Sequence, residues 1–118
     1  MKFNFEYGKR KFNLDVIVCG DILSQARGLM FKKNSKPLLF VFKTARRIAI
    51  HSFFCVPFTA IWFNRNRIID IKVINSWKFS IRPKEKSDKL LEIPMNDPAF
   101  AYFLDDTKGL KRKKTYNN

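Results

Sequence analysis

Phe3 and Phe5 alternate with Lys2, Asn4 and Glu6, and Phe12, Leu14, Val16 and Val18 alternate with Lys11, Asn13, Asp15 and Ile17. An apolar residue at every second position marks a strand with one face buried. Tyr7-Gly8-Lys9-Arg10 separates the two runs and reads as a turn, because Gly8 is free to adopt positive φ. An N-terminal hairpin is therefore predicted, with its second strand running over Phe12–Val18. Asp21 is placed to N-cap a short helix whose apolar side is Ile22, Leu23 and Ala26, and Gly28 is placed to end it. Leu29, Met30 and Phe31 form an apolar plug, followed by a polar loop over Lys32–Lys36. Leu38–Phe42 is unbroken by polar residues, as expected of a strand buried on both faces. Lys43–Arg47 reads as a basic turn.

Ile48–Phe63 carries no formal charge in a strongly basic chain. It reads as two strands meeting near Val56 and Pro57. Asn64-Arg65-Asn66 makes an outer turn, since asparagine tolerates the left-handed conformation, and an Ile/Val-rich strand returns over Arg67–Asn75. Trp77, Phe79 and Ile81 then alternate with Lys78, Ser80 and Arg82, and Pro83 stops that ladder because it has no N–H to donate. Lys84–Lys89 reads as an exposed loop and Leu90–Ile93 as a further short strand. Asp97-Pro98 pairs an N-cap with proline at the first helical position, so a second helix is expected from Pro98 to about Leu104. These elements amount to a mainly β (α+β) fold: a small closed or half-closed β-barrel of about seven strands with one or two short helices. One domain is expected over residues 1–109, with a basic tail over 110–118.

Composition narrows the picture. An apolar share of 46% and an aromatic share of 15% supply a core and exclude disorder for the body of the chain. Twenty-four Lys and Arg against 10 acids leave a formal net charge of +14. Such a charge attracts polyanions or is simply spread over solvated faces. No continuous apolar segment marks the N-terminus, so no secretory signal is expected. The uncharged stretch, taken as a helix, spans about 24 Å and falls short of a bilayer core of about 30 Å, so no membrane partner is expected either. Cys19 and Cys55 are far apart and form no CxxC, so two reduced thiols in a cytoplasmic protein are the expectation.

Three segments, in order, carry a resemblance: Ala26-Arg27-Gly28-Leu29-Met30-Phe31-Lys32, Leu39-Phe40-Val41-Phe42, and His51-Ser52-Phe53-Phe54-Cys55-Val56-Pro57-Phe58-Thr59-Ala60-Ile61-Trp62-Phe63-Asn64. Together they resemble the uncharacterised family called UPF0127 or DUF192, and Leu90-Leu91-Glu92-Ile93-Pro94 resembles that family's later LE-P segment. The resemblance covers roughly residues 10 to 95. It implies a compact, mainly β fold with the RGLMF helix at one end of a barrel, and it implies no settled activity. Many members carry an aspartate two residues after the hairpin proline, where this chain has Thr59. Many also place glycine-containing sequence after the LE-P segment, where this chain has Phe100, Tyr102 and Phe103.

Candidate chemistry is sparse. His51 and Cys55, four residues apart, stand about 13 Å apart on a strand, too far to share one metal ion or to form a nucleophile–base pair. No metal, cofactor or catalytic residue is assigned, and binding is favoured over catalysis. His51, Ser52 and Thr59 are the few polar groups in an apolar stretch, a composition common in ligand sites. Arg27, beside Gly28, has the chemistry to clamp a carboxylate or phosphate. These four are the candidate small-ligand residues. The alternative is a nucleic-acid accessory protein using Lys78 and Arg82, with Lys111 and Arg112 from the tail. Along Trp77–Arg82 the alternation assigns rings and cations to opposite faces, so the rings are expected to face the core. Weak, salt-labile binding without preference follows from that.

Overall fold

The computed structural model describes residues 1–20, 28–30, 32 and 34–103. Among these residues seven strands are formed: β1 (Lys2–Tyr7), β2 (Arg10–Asp15), β3 (Ile17–Cys19), β4 (Leu38–Arg46), β5 (Phe58–Asn64), β6 (Arg67–Ile74) and β7 (Ser87–Pro94). A helix, α1, occupies residues 98–103. β1 and β2 pair antiparallel as a two-stranded sheet, and the other five form a sheet in the order β3-β4-β7-β5-β6. Within the larger sheet only β3 and β4 run parallel. The fold is thus mainly β, in two sheets with a short helix, and among the described residues β3 and β6 are the edges of the larger sheet.

The alternating run predicted as one strand over Phe12–Val18 divides between the two sheets. At Val16, which is buried, the backbone N–H donates to the Met1 carbonyl at 2.7 Å. One residue later the Ile17 N–H donates to the Pro37 carbonyl at 2.9 Å, and β3 proceeds alongside β4. β5, buried from Phe58 to Phe63, has the partners it needs: it lies between β7 and β6. Phe58, Ala60 and Trp62 enter one buried cluster with Phe40 and Leu90, while Ile61 and Phe63 enter a second with Leu91 and Ile93. This is the two-sided burial that period-2 alternation imposes when both faces of a sheet are covered.

The second face is covered by the N-terminal hairpin and α1. Phe5 meets Phe63 edge to face at 5.6 Å, and Phe12 lies 5.1 Å from Phe103. α1 starts as its sequence indicated, with Asp97 Oδ1 accepting a hydrogen bond from the Ala99 N–H at 2.9 Å. Leu104 lies outside the described residues. The first face is covered by Leu29 and by loops that bring Ile50, Cys55 and Ile81 onto the sheet.

Several boundaries differ from expectation. The predicted basic turn over Lys43–Arg47 largely continues β4, which shifts register against β7 between Val41 and Arg46. The expected exposed loop after Lys84 becomes strand from Ser87. The two strands expected to meet near Val56 and Pro57 do not form a hairpin. Residues 52–55 make a turn, with the Cys55 N–H donating to the Ser52 carbonyl at 3.2 Å and Phe54 at φ 57°. The second expected hairpin does form: β5 pairs with β6 across a turn in which Arg65 and Asn66 both take positive φ, the backbone a tight hairpin requires. The first expected helix falls on residues 21–27, outside the described residues. Gly28 follows it at φ 49°, a conformation suited to a helix end.

Candidate functional site

β7 is central in the larger sheet, and Glu92 is the sixth of its eight residues. Its cross-strand neighbours are Leu38 on β4 and Ala60 on β5. Leu90 and Glu92 share the first face, so a carboxyl stands in an otherwise apolar layer and is buried there. Burial pushes this carboxyl from its ordinary 4.5 up to about 8, because a low-dielectric surrounding disfavours the charged form. No hydrogen-bond donor among the described side chains accounts for it, and desolvation is the cause of the shift. At neutral pH the group is therefore mostly a protonated acid, able to donate one hydrogen bond.

Glu92 lines a cavity of about 270 Å³. Phe40, Phe42 and Leu90 form the sheet side of that cavity, and Ile48–His51 and Cys55 the opposite side. Gly28 closes one flank. A side chain there would begin 3.4 Å from Glu92 Oε1 and 3.5 Å from Phe40 Cζ, so glycine lets the backbone lie against the acid. The far wall is fixed from outside by Ile50 and Ile81, which exchange both backbone hydrogen bonds at 2.8 and 2.9 Å.

His51 is at this cavity, as the sequence suggested. Its Nδ1 accepts the Phe53 N–H at 3.2 Å, and its ring stacks on Phe53 at 5.0 Å. With Nδ1 occupied as an acceptor, the neutral ring carries its proton on Nε2. Cys55 also lines the cavity, but burial, together with the charge of Glu92, pushes its thiol up to about 11. A thiol so rarely ionised is a poor nucleophile and metal ligand. Among the described residues no three His, Cys, Asp or Glu side chains come together as a metal cluster.

The structure separates the other two described ligand candidates from this cavity. Ser52 is fully buried, and its hydroxyl donates to the Asn75 carbonyl at 2.6 Å and accepts the Lys78 N–H at 2.7 Å. It is a brace between two loops. Thr59 pairs across the sheet with Val73 and Ile93, on the face opposite Glu92. Its hydroxyl is buried without a partner. Arg27 lies outside the described residues. Glu92 was not singled out from the sequence, although an acid in the midst of Leu90-Leu91-Glu92-Ile93-Pro94 was the available signal.

Of the candidate nucleic-acid residues, Lys78 and Arg82 are exposed, and Lys111 and Arg112 lie outside the described residues. The rings beside them do not face the core. Trp77 is 58% exposed and Phe79 71%. No strand forms over 75–80, because Trp77 and Ser80 take φ 66° and 60°, which breaks the alternation that would have turned the rings inward.

A UPF0127 protein of Pyrococcus horikoshii is 31% identical over 84 residues, covering 68% of this chain and 72% of the relative. The chain belongs to the UPF0127 family. No family model matches the sequence. Two solved structures share the UPF0127 chain's fold. One is a protein of unknown function from Novosphingobium aromaticivorans, with a TM-score of 0.71 and 15% identity over 79% of this chain and 71% of that one. The other, from Sinorhizobium meliloti, is described provisionally as a transcription regulator, with a TM-score of 0.68 and 18% identity over 77% of this chain and 76% of that one. Among the described residues of this UPF0127 protein, no helix is long and apolar enough to cross a membrane.

Proposed function

We propose that this protein binds one small, largely apolar molecule in the cavity between Glu92 and His51, through a polar group on that molecule that accepts hydrogen bonds. The observation that carries the reading is Glu92: a buried acid on the central strand of the sheet, facing a cavity, with no donor from the described side chains. A ligand acceptor opposite the carboxylic O–H would give the acid a hydrogen bond with a net worth of about 0.5–1.5 kcal/mol. His51 adds a second donor at Nε2. The apolar walls supply affinity without selecting chemistry, and the two donors select it. The raised thiol of Cys55 favours binding over nucleophilic catalysis. The setting in this reading is the cytoplasm, supported by two buried free thiols.

An NMR screen of small-molecule fragments against labelled protein tests this. Hits carrying a carbonyl or ether acceptor are expected to shift the amides of Gly28, Ile50 and Leu90, and to lose affinity in Glu92→Ala and His51→Ala. If no fragment at about 1 mM, the weak end of measurable affinity, perturbs those amides, the reading fails. It fails equally if hits bind as well to both variants.

A further inference from the structure

Single exposed apolar residues are ordinary, but a contiguous exposed apolar patch marks an interaction site. Phe54, Trp77 and Phe79 are 49%, 58% and 71% exposed and belong to one cluster. Phe53 links them, with its ring 6.0 Å from Trp77 and 5.7 Å from Phe79, and Phe54 meets Trp77 at 4.6 Å. The loops bearing these rings are fastened together by Ser52. Its N–H donates to the Lys78 carbonyl at 2.8 Å, and its carbonyl accepts the Trp77 N–H at 3.0 Å. Two ring-bearing residues hold positive φ, 57° at Phe54 and 66° at Trp77, which bulky side chains rarely adopt. The fold keeps this strain at the place where it turns the rings outward.

A groove runs from the rings along the outer edge of the sheet. One wall is β6 from Ile71 to Ile74 with Asn75 after it, and the other is Lys78, Phe79 and Ile81. Among the described residues β6 is the last strand of its sheet. The far end of the groove is crossed by Lys72, whose Nζ donates to the Arg82 carbonyl at 2.6 Å. Lys72 and Lys78 line the groove and, among the described residues, no acid does, and residues 67–86 as a whole hold six cations (Arg67, Lys72, Lys78, Arg82, Lys84, Lys86) against two acids (Asp70, Glu85). Asp70 is already engaged, accepting the Ile71 and Lys84 N–H groups and lying 3.8 Å from Lys72.

We infer that this surface binds single-stranded nucleic acid, with bases stacked on Trp77 and Phe79 and phosphates held along the cationic groove beside β6. Each part matches a need of that partner. Rings offer a sequence-tolerant face to a base, and a positive groove tracks the backbone. A duplex hides its base faces, so the rings favour a single strand. A lipid surface would take the rings but has no use for a groove.

Fluorescence anisotropy of a labelled oligonucleotide of about 12 residues, within the usual site size of small ring-lined grooves, tests the inference on the full chain. Single-stranded RNA and DNA are each titrated beside the matching duplex and beside phosphatidylserine-containing vesicles. Trp77→Ala and Phe79→Ala leave the net charge unchanged, so generic attraction to a polyanion survives in them. Each is expected to weaken single-strand binding roughly tenfold and to leave the melting temperature close to the parent's. Lys78→Gln should lower the slope of log affinity against log salt by about 0.7. Trp62 is buried and Trp77 exposed, so quenching of intrinsic fluorescence on binding should disappear in Trp77→Ala. The inference is overturned if the double ring variant binds single strands within about twofold of the parent, or if the duplex binds as tightly. Ring-dependent binding to vesicles without ring-dependent binding to oligonucleotides overturns it too, as does ring-dependent self-association in sedimentation.

Discussion

Glu92→Gln changes one protonation site and almost no volume, so its effect on stability can be worked from the buried carboxyl. The folded carboxyl titrates at about 8 and its ordinary value is 4.5. Below about 4.5 both folded and unfolded chains hold the proton, and the group makes no difference. As pH rises from there, the unfolded chain releases its proton while the folded chain keeps it, so stability falls. The fall ends when the folded carboxyl itself ionises, at about 8. At about 1.4 kcal/mol per pH unit, the whole window amounts to about 5 kcal/mol, a large part of the roughly 5–15 kcal/mol typical of a domain. Glutamine has no proton to lose and avoids the fall. Urea unfolding of both proteins at pH 4.5, 6, 7 and 8.5 measures it, and the difference between them cancels every other titrating group. The difference should move in favour of glutamine by several kcal/mol across the window. A difference constant to within about 1 kcal/mol, less than one pH unit of linkage, would refute the reasoning, because it would mean that the folded carboxyl ionises as freely as in water.

Three further substitutions test the layout around the cavity. Thr59→Val should stabilise by about 1 kcal/mol, since it removes a buried hydroxyl without a partner and keeps the shape; thermal unfolding checks the sign, and fragment binding at Glu92 should be unchanged. Ser52→Ala should destabilise by about 2 kcal/mol, because the Asn75 carbonyl and the Lys78 N–H both lose their buried partner; urea unfolding measures it, and oligonucleotide binding should weaken as the ring-bearing loops separate. Gly28→Ala should cost about 1 kcal/mol from the left-handed backbone at φ 49°, and in the NMR screen it should also weaken fragments seated against Glu92, because the new methyl meets Oε1 at 3.4 Å.

Local pattern was enough for several elements. Alternation of Phe3 and Phe5, and of Phe12 and Leu14, with polar neighbours specified a hairpin whose two strands pair over Lys2–Tyr7 and Arg10–Asp15. Turn chemistry placed the β5–β6 connection at Arg65 and Asn66, and Asp97-Pro98 placed the start of α1. The family was legible from the RGLMF segment and the stretch that begins at His51. Each of these signals lies within a few residues of the structure it produces, so propensity and side-chain period suffice.

What the cavity and the ring surface require is non-local. Glu92 is buried because β7 lies between β4 and β5, and nothing in Leu90–Pro94 states that order. Thr59 and His51 are eight residues apart in the chain, yet Thr59 faces the hairpin and α1 side while His51 lines the cavity on the other. Ser52 was legible as a polar group in an apolar run, but its role depends on Asn75 and Lys78, 23 and 26 residues away. The rings at Trp77 and Phe79 had the period of a core-facing strand. They point outward because positive φ at Trp77 and Ser80 overrides the period, and contacts with Ser52 hold that backbone in place. Sequence determined the N-terminal hairpin, the turn at Arg65 and Asn66 and the start of α1, because those follow from neighbours along the chain. Tertiary structure decided which side chain meets water, cavity or core, because that depends on which strand lies beside which.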